Sequence, residues 1–196
     1  MNYPNGIKKT NNSSDSIVSK LSHKNRGMNL ENELNITNEY YRNIDKAFIY
    51  KKPTPVKITK VDYPSRDKAI IKEAFFTIPS TTDYNGLYKG KYIDFEAKET
   101  KSSTNFTLRN IHPHQIEHLK SIEKHGGIAF IIVRFTILNE TYLMPINKLE
   151  TFLDNNNRKS IPIDYFREKC YLIKDNLKPT VDYLKIIDKL MEDKNG

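Results

Sequence analysis

Apolar positions divide the chain into short periodic segments separated by proline, glycine and asparagine. From residue 28 onward Leu30, Leu34 and Tyr41 fall near one helical face, with Glu31 and Glu33 in the early turns, where the helix dipole favours acids. A helix is predicted there, and residues 47–50 read as a short strand. Residues 112–124 form a second helix, with Pro113 at its first position and Gly126-Gly127 at its end. Residues 128–135 are almost wholly apolar and predict a buried central strand. Residues 141–146 alternate and can pair beside it, and residues 148–153 and 180–191 are the last helical stretches. There are no internal repeats. This order of elements predicts an α/β fold: a mixed β-sheet core flanked by helices.

Residues 51–76 break the pattern. Pro53, Pro55 and Pro64 forbid a helix and disfavour a central strand. Around them stand Lys51, Lys52, Lys57, Lys60, Arg66, Lys68 and Lys72. Residues 56–61 and 68–76 alternate, so the segment reads as a basic β-arm with its tip near residues 63–67. Phe75 and Phe76 lie where the arm meets the body. Neighbouring strand residues face opposite ways, so one ring can be core while the other stacks on a base; packing of both in a dimer interface is the alternative.

Composition narrows the class. The chain has 196 residues, 32 Lys and Arg against 24 Asp and Glu, and a net charge of +8. Of that excess, +6 falls on residues 1–60. It fits either a solvated tail or a phosphate-binding face. Residues 1–25 are rich in Asn, Ser and Lys and are expected to form a flexible basic tail, followed by a single domain over 26–196 with the arm inserted at about 51–76. No apolar run is long enough for a membrane helix, no secretory signal is expected, and one cysteine, Cys170, excludes an intrachain disulfide framework. A cytoplasmic protein with an anionic partner is the expectation.

The stretch 79–98 carries the chemistry. In residues 92–98 alternation places Tyr92, Asp94, Glu96 and Lys98 on one face and Ile93, Phe95 and Ala97 on the other. If Lys89-Gly90 is a two-residue hairpin loop, Leu87 opposes Tyr92 and Asp83 opposes Glu96, with Cβ atoms about 4.5–5.5 Å apart. Two carboxylates so placed repel, and a hard divalent cation turns that repulsion into coordination. The competing turn, Asn85-Gly86, would pair Asp83 with Tyr88 and break the site. An isolated Glu-Ala-Lys triplet is more often surface charge than a site. Here Asp83 upstream, the apolar opposite face and the basic arm set a metal-dependent phosphodiester site beside that reading as the minority alternative.

Those residues resemble the PD-(D/E)xK nuclease motif. More closely, the chain resembles the RecU-type Holliday junction resolvases. The similarity is carried by Met-Asn-Tyr-Pro-Asn-Gly at the start, Arg26-Gly-Met-x-Leu-Glu31, Lys51-Lys-Pro-Thr-Pro-Val56, Pro79 to Asp83-Tyr-Asn-Gly86, Tyr92-Ile-Asp-Phe-Glu-Ala-Lys-Glu99 and His114-Gln-Ile-Glu-His118. The resemblance implies a restriction-endonuclease-like core with the arm as a protruding stalk, and a homodimer. It implies Mg2+-dependent (Mn2+ as substitute) symmetric nicking of four-way DNA junctions in recombination and repair, at the nucleoid, with a RecA-type recombinase as a partner. Position by position, it assigns the metal set to Thr81, Asp83, Glu96 and Gln115, and transition-state stabilisation to Lys98.

Each role has a plainer rival. Lys98 could simply pair with Glu96. Gln115, at the third position of its helix, could bond back to the amide of His112. Glu31 resembles the first-helix glutamate of other junction resolvases, with a catalytic or metal role, yet also suits the helix dipole. Arg26 is expected on phosphate near the site, and Lys51, Lys52, Lys57, Lys60, Arg66 and Phe76 on DNA along the arm. The pair His114 and His118 lacks a third ligand for zinc, so both are expected as solvated helix residues. Two other functions compete: a less selective nuclease on duplex DNA, and a non-catalytic protein that bridges or anneals strands.

Overall fold

The computed structural model describes residues 29–65, 67–76 and 81–193. Arg26, Arg66 and the expected tail over 1–25 lie outside the described residues. The first helix, α1, is Leu30–Asn43, opened by Asn29, whose Oδ1 accepts the amide of Asn32 at 2.9 Å. Strand β1 (Phe48–Lys51) follows, then the hairpin β2 (Val56–Ser65) and β3 (Lys68–Phe76). Strands β4 (Tyr84–Tyr88) and β5 (Lys91–Thr100) precede a short β6 (Asn105–Thr107) and α2 (Pro113–Lys124). Strands β7 (Ile128–Phe135) and β8 (Glu140–Pro145), helix α3 (Ile146–Asn155), β9 (Ser160–Pro162), α4 (Ile163–Lys169), β10 (Tyr171–Ile173) and α5 (Leu184–Asp193) complete the described chain.

Six strands form one sheet in the order β1-β4-β5-β7-β8-β10, antiparallel except for the parallel pair β5/β7. The middle of the sheet is buried on both faces, which is why β7 reads as an almost wholly apolar run. Phe130 and Ile132 of β7 face a core with Leu30 and Leu34 of α1 and Leu184 and Ile187 of α5. Ala129, Ile131 and Val133 face a second core with Leu119 of α2, Leu149 of α3 and Phe166 of α4. Tyr84, Phe95 and Phe130 sit side by side on adjacent strands, and their rings stack 4.8 Å apart at each step. This aromatic ladder fixes the register of β4, β5 and β7, and with it the position of every residue on the opposite face of β5. No helix among the described residues is long and apolar enough to cross a membrane.

The hairpin β2/β3 is a separate two-stranded sheet, and all its described residues are exposed except the half-buried Val61. It spans residues 56–76, so the expected start at residue 51 moves. Lys51 ends β1 inside the main sheet, and Pro53 and Pro55, which cannot donate to a ladder, mark the exit. Phe75 and Phe76 are 57% and 81% exposed, so neither ring enters the core of the chain. The last helix begins at Leu184 rather than residue 180. Residues ahead of it are held otherwise: Val181 bridges Asp175, and the Tyr183 ring packs against Tyr41 and Phe95.

Candidate active site

The β4–β5 turn decides the geometry. Lys89 (φ 47°) and Gly90 (φ 72°) are both left-handed, as the tight two-residue hairpin turn requires. Tyr84 pairs with Phe95 and Leu87 with Tyr92, so Asp83, one step before the strand, continues the register opposite Glu96. The competing turn at Asn85-Gly86 does not form, because Gly86 lies within β4. A Cβ there would stand 2.1 Å from the Phe48 carbonyl oxygen, so glycine is what lets β1 approach. Asp83 is anchored at both ends: its carbonyl accepts the Lys52 amide at 2.8 Å, and its Oδ2 accepts the Ala97 amide at 3.1 Å.

Glu96 is 1% exposed, and both its carboxylate oxygens are buried without a hydrogen-bond partner. Lys98 Nζ lies 2.6 Å from Glu96 Oε1, an ion pair in distance but outside hydrogen-bond geometry. Burial, and then the charge of Asp83, push the Glu96 carboxyl up to about 7, against the opposing pull of Lys98 and the Gln115 amide. The plainer reading of Lys98 as the partner of Glu96 therefore holds in part: the contact exists, but it does not offset burial and the neighbouring acid.

A buried carboxylate whose ion pair with Lys98 does not offset burial, beside a second acid, is a poor arrangement for a protein alone and a good one for a hard cation. Among the described residues no cluster of three or more His, Cys, Asp and Glu could hold a metal ion. The available set is two carboxylates, Asp83 and Glu96, with the Gln115 side chain against Glu96. That composition fits Mg2+, which takes one or two carboxylates and keeps several waters. Gln115 is buried, and its Oε1 accepts the His112 amide at 3.0 Å, so the helix-capping role is present. Its amide also lies close enough to Glu96 to lower the pKa of that carboxyl.

Glu31 joins the same place. With Asn29, Asp83, Ala97, Lys98 and Glu99 it lines a cleft of about 170 Å³. Glu99, which the sequence reading passed over, accepts the Leu30 amide at 2.9 Å and so ties the start of α1 to the end of β5. Glu31 itself pairs with Lys51 at 2.5 Å.

With that geometry in place, the chain can be set beside known proteins. The family described as "Recombination protein U" matches residues 25–189. The chain belongs to the RecU family. Among RecU relatives, the "Holliday junction resolvase RecU" of Bacillus cereus (strain AH820) is 50% identical over 192 residues, covering 95% of this chain and 96% of that protein. The protein of the same name from Staphylococcus carnosus (strain TM300) is 48% identical over 204 residues, covering 100% and 98%. A solved structure, the Holliday junction resolvase Hjc of Archaeoglobus fulgidus, aligns at a TM-score of 0.35 and 12% identity, over 66% of this chain and 90% of that one.

The positions carrying the RecU resemblance do not all gather at the cleft. Glu31, Asp83 and Lys98 line the cleft, and Asp83, Lys98 and Gln115 adjoin Glu96, whereas the Thr81 hydroxyl meets Lys52. Lys57, Lys60 and Phe76 stand on the exposed hairpin. Lys51 and Lys52 stand on the body, and their side chains diverge as strand neighbours must, Lys51 to Glu31 and Lys52 to Asp94.

His118 corrects an expectation. It is not simply a solvated helix residue, since its Nε2 lies 3.1 Å from Oδ2 of the fully buried Asp94. Asp94 also accepts from Lys52 Nζ at 2.8 Å, from the Tyr92 hydroxyl at 3.0 Å and from the Thr82 hydroxyl. The sequence reading placed Asp94 on the face of Glu96 and gave it no role. The available signal was that an acid on that face of a doubly covered strand needs partners.

Proposed function

We propose that this protein is a divalent-metal-dependent endonuclease that resolves four-way DNA junctions by paired symmetric nicks. On this reading it works as a homodimer in the cytoplasm, at the nucleoid, in recombination and repair, with a RecA-type recombinase as a partner. The observation that carries the catalytic half is Glu96: a buried carboxylate in register with the second acid Asp83, its Oε1 2.6 Å from Lys98 Nζ. Family membership and relatives named as Holliday junction resolvases support the junction as substrate.

Asp83 and Glu96 would hold Mg2+, with Thr81 and Gln115 completing the set directly or through water. When bound, the ion supplies Lewis-acid polarisation of the scissile phosphate. Lys98, on the Glu96 face and a quarter exposed, would orient a water and offset charge that grows on the phosphate in the transition state. Glu31 borders the cleft and, through its pair with Lys51, links the acidic centre to a cation that can approach the DNA backbone. Arg26, Lys57, Lys60 and Arg66 would bind phosphates, and the Phe76 ring, 81% exposed, is free to stack on a base at the junction centre.

A second copy gives two equivalent sites related by a two-fold axis, which suits symmetric cuts. An apolar row suited to a contact between copies crosses three paired strands: Phe48, Leu87 and Tyr92, each at least 36% exposed.

The test is nicking of an end-labelled four-way junction with and without Mg2+, beside a linear duplex of the same arm sequence at matched salt. The expected result is paired nicks on opposing strands, only with metal and only on the junction. Equal cleavage of the duplex would favour the less selective nuclease, and binding without any metal-dependent cleavage would favour the strand-bridging protein.

A further inference from the structure

Lys52 was expected on DNA, but its surroundings point elsewhere. An ammonium group has three donors. Those of Lys52 meet Thr81 Oγ1 at 3.2 Å, Thr82 Oγ1 at 2.5 Å and Asp94 Oδ2 at 2.8 Å. Its side chain is only 16% exposed and that of Asp94 is fully buried. No donor is left for a phosphate. The main chain adds a fourth bond, from the Lys52 amide to the Asp83 carbonyl, which extends the β1/β4 pairing by one step beyond Lys51 and Tyr84.

What these bonds hold is the segment 81–83, which lies outside any helix or strand. It carries Thr81 and Asp83, half of the residues expected to bind metal. Lys52 reaches it because Pro53 keeps the preceding residue extended, so the alternation of β1 continues and delivers this side chain to the Asp94 and Glu96 face. Asp94 is the fixed end of the arrangement. It receives Lys52, Tyr92, His118 and Thr82 while standing one pleat from Glu96 on the same strand.

We propose that Lys52, held by Asp94, is a positioning residue: it clamps the Thr81–Asp83 segment so that Asp83 stands opposite Glu96, and it does not bind DNA. This rests on the nuclease reading above. Partners that orient metal ligands typically lower metal affinity or activity by roughly 10–100-fold when removed, and that is the size of effect expected here.

The test compares wild type, Lys52→Met and Thr82→Val. The second substitution removes the hydroxyl between Lys52 and Asp94 at a site with no exposure, so it cannot act through a lost DNA contact. Three quantities are read: metal-free junction affinity by fluorescence anisotropy across a salt series, amide hydrogen exchange of the 81–84 segment without metal, and single-turnover cleavage at saturating junction against Mg2+ concentration. Circular dichroism melts confirm folding of each variant.

The expected result for Lys52→Met is junction affinity and salt slope as in wild type, faster exchange at 81–84, and cleavage reduced roughly 10–100-fold with a raised Mg2+ requirement. Thr82→Val is expected to move exchange and cleavage in the same direction. Weakened metal-free binding with a salt slope lower by about one, and unchanged exchange, would overturn the proposal in favour of a phosphate contact. Unchanged exchange and cleavage in Thr82→Val would also overturn it. If wild type cleaves nothing while Lys52→Met still loosens 81–84, the nuclease reading fails and the clamp stands.

Discussion

Two carboxylates stand one pleat apart on one face of β5, and their surroundings are opposite. Asp94, fully buried, accepts bonds from a lysine, a tyrosine and a threonine and lies 3.1 Å from a histidine nitrogen. Glu96, equally buried, has one ion-pair partner, Lys98 at 2.6 Å, and faces a second acid whose charge, with burial, outweighs it. The chain completes the first site from its own side chains, and at the second its own cation does not offset burial and the neighbouring acid, which is the condition a bound divalent ion would relieve.

The comparison predicts divergent outcomes for matched substitutions. Glu96→Gln should abolish junction cleavage, by about 10³-fold or more (~4 kcal/mol of barrier), while leaving the thermal midpoint of the metal-free protein unchanged or raised. Stopped assays at saturating junction and a calorimetric melt check both. Asp94→Ala should do the reverse in kind: removing one member of a buried charged network costs about 3 kcal/mol of stability, read by urea denaturation. A variant pair in which Glu96→Gln unfolds and Asp94→Ala does not would break the comparison.

The pH dependence sharpens it. The Glu96 carboxyl lies at about 7 in the folded chain, above its ordinary range near 4.5, because of burial and the charge of Asp83. The folded state therefore binds more protons than the unfolded state between those values, and without metal this group lowers stability as pH rises through the window. Bound Mg2+ needs the ionised form. The Mg2+ concentration for half-maximal cleavage should rise as pH falls below 7, by roughly tenfold per unit at the limit. A requirement flat from pH 8 to 5.5 would contradict this. Smaller still, Gln115→Ala should cost about 1 kcal/mol through its bond to the His112 amide, in addition to any loss of metal affinity.

Much of this could be read in the chain beforehand, and the reasons differ by region. The face shared by Asp94, Glu96 and Lys98 follows from period-2 alternation alone. The pairing of Asp83 with Glu96 needed the turn, and two signals competed. Asn-Gly is the stronger hairpin dipeptide, yet Gly86 serves the close approach of β1, a contact between segments that no local pattern reveals. The clamp around Asp94 was hidden for a similar reason. Lys52, Thr82, Tyr92 and His118 come from four separate segments, and a lysine beside prolines in a basic stretch looks like a DNA contact until its three acceptors are seen. Short elements such as β6, β9 and α4 carry too few residues to show a period.

The most direct measurement of the central claim is anomalous diffraction from a crystal of the protein soaked in Mn2+. The account predicts one or more ion peaks bridged by the carboxylates of Asp83 and Glu96, absent in Glu96→Gln crystals soaked alike. A junction-nicking protein whose soaked crystals show no ion at Asp83 and Glu96 would contradict it.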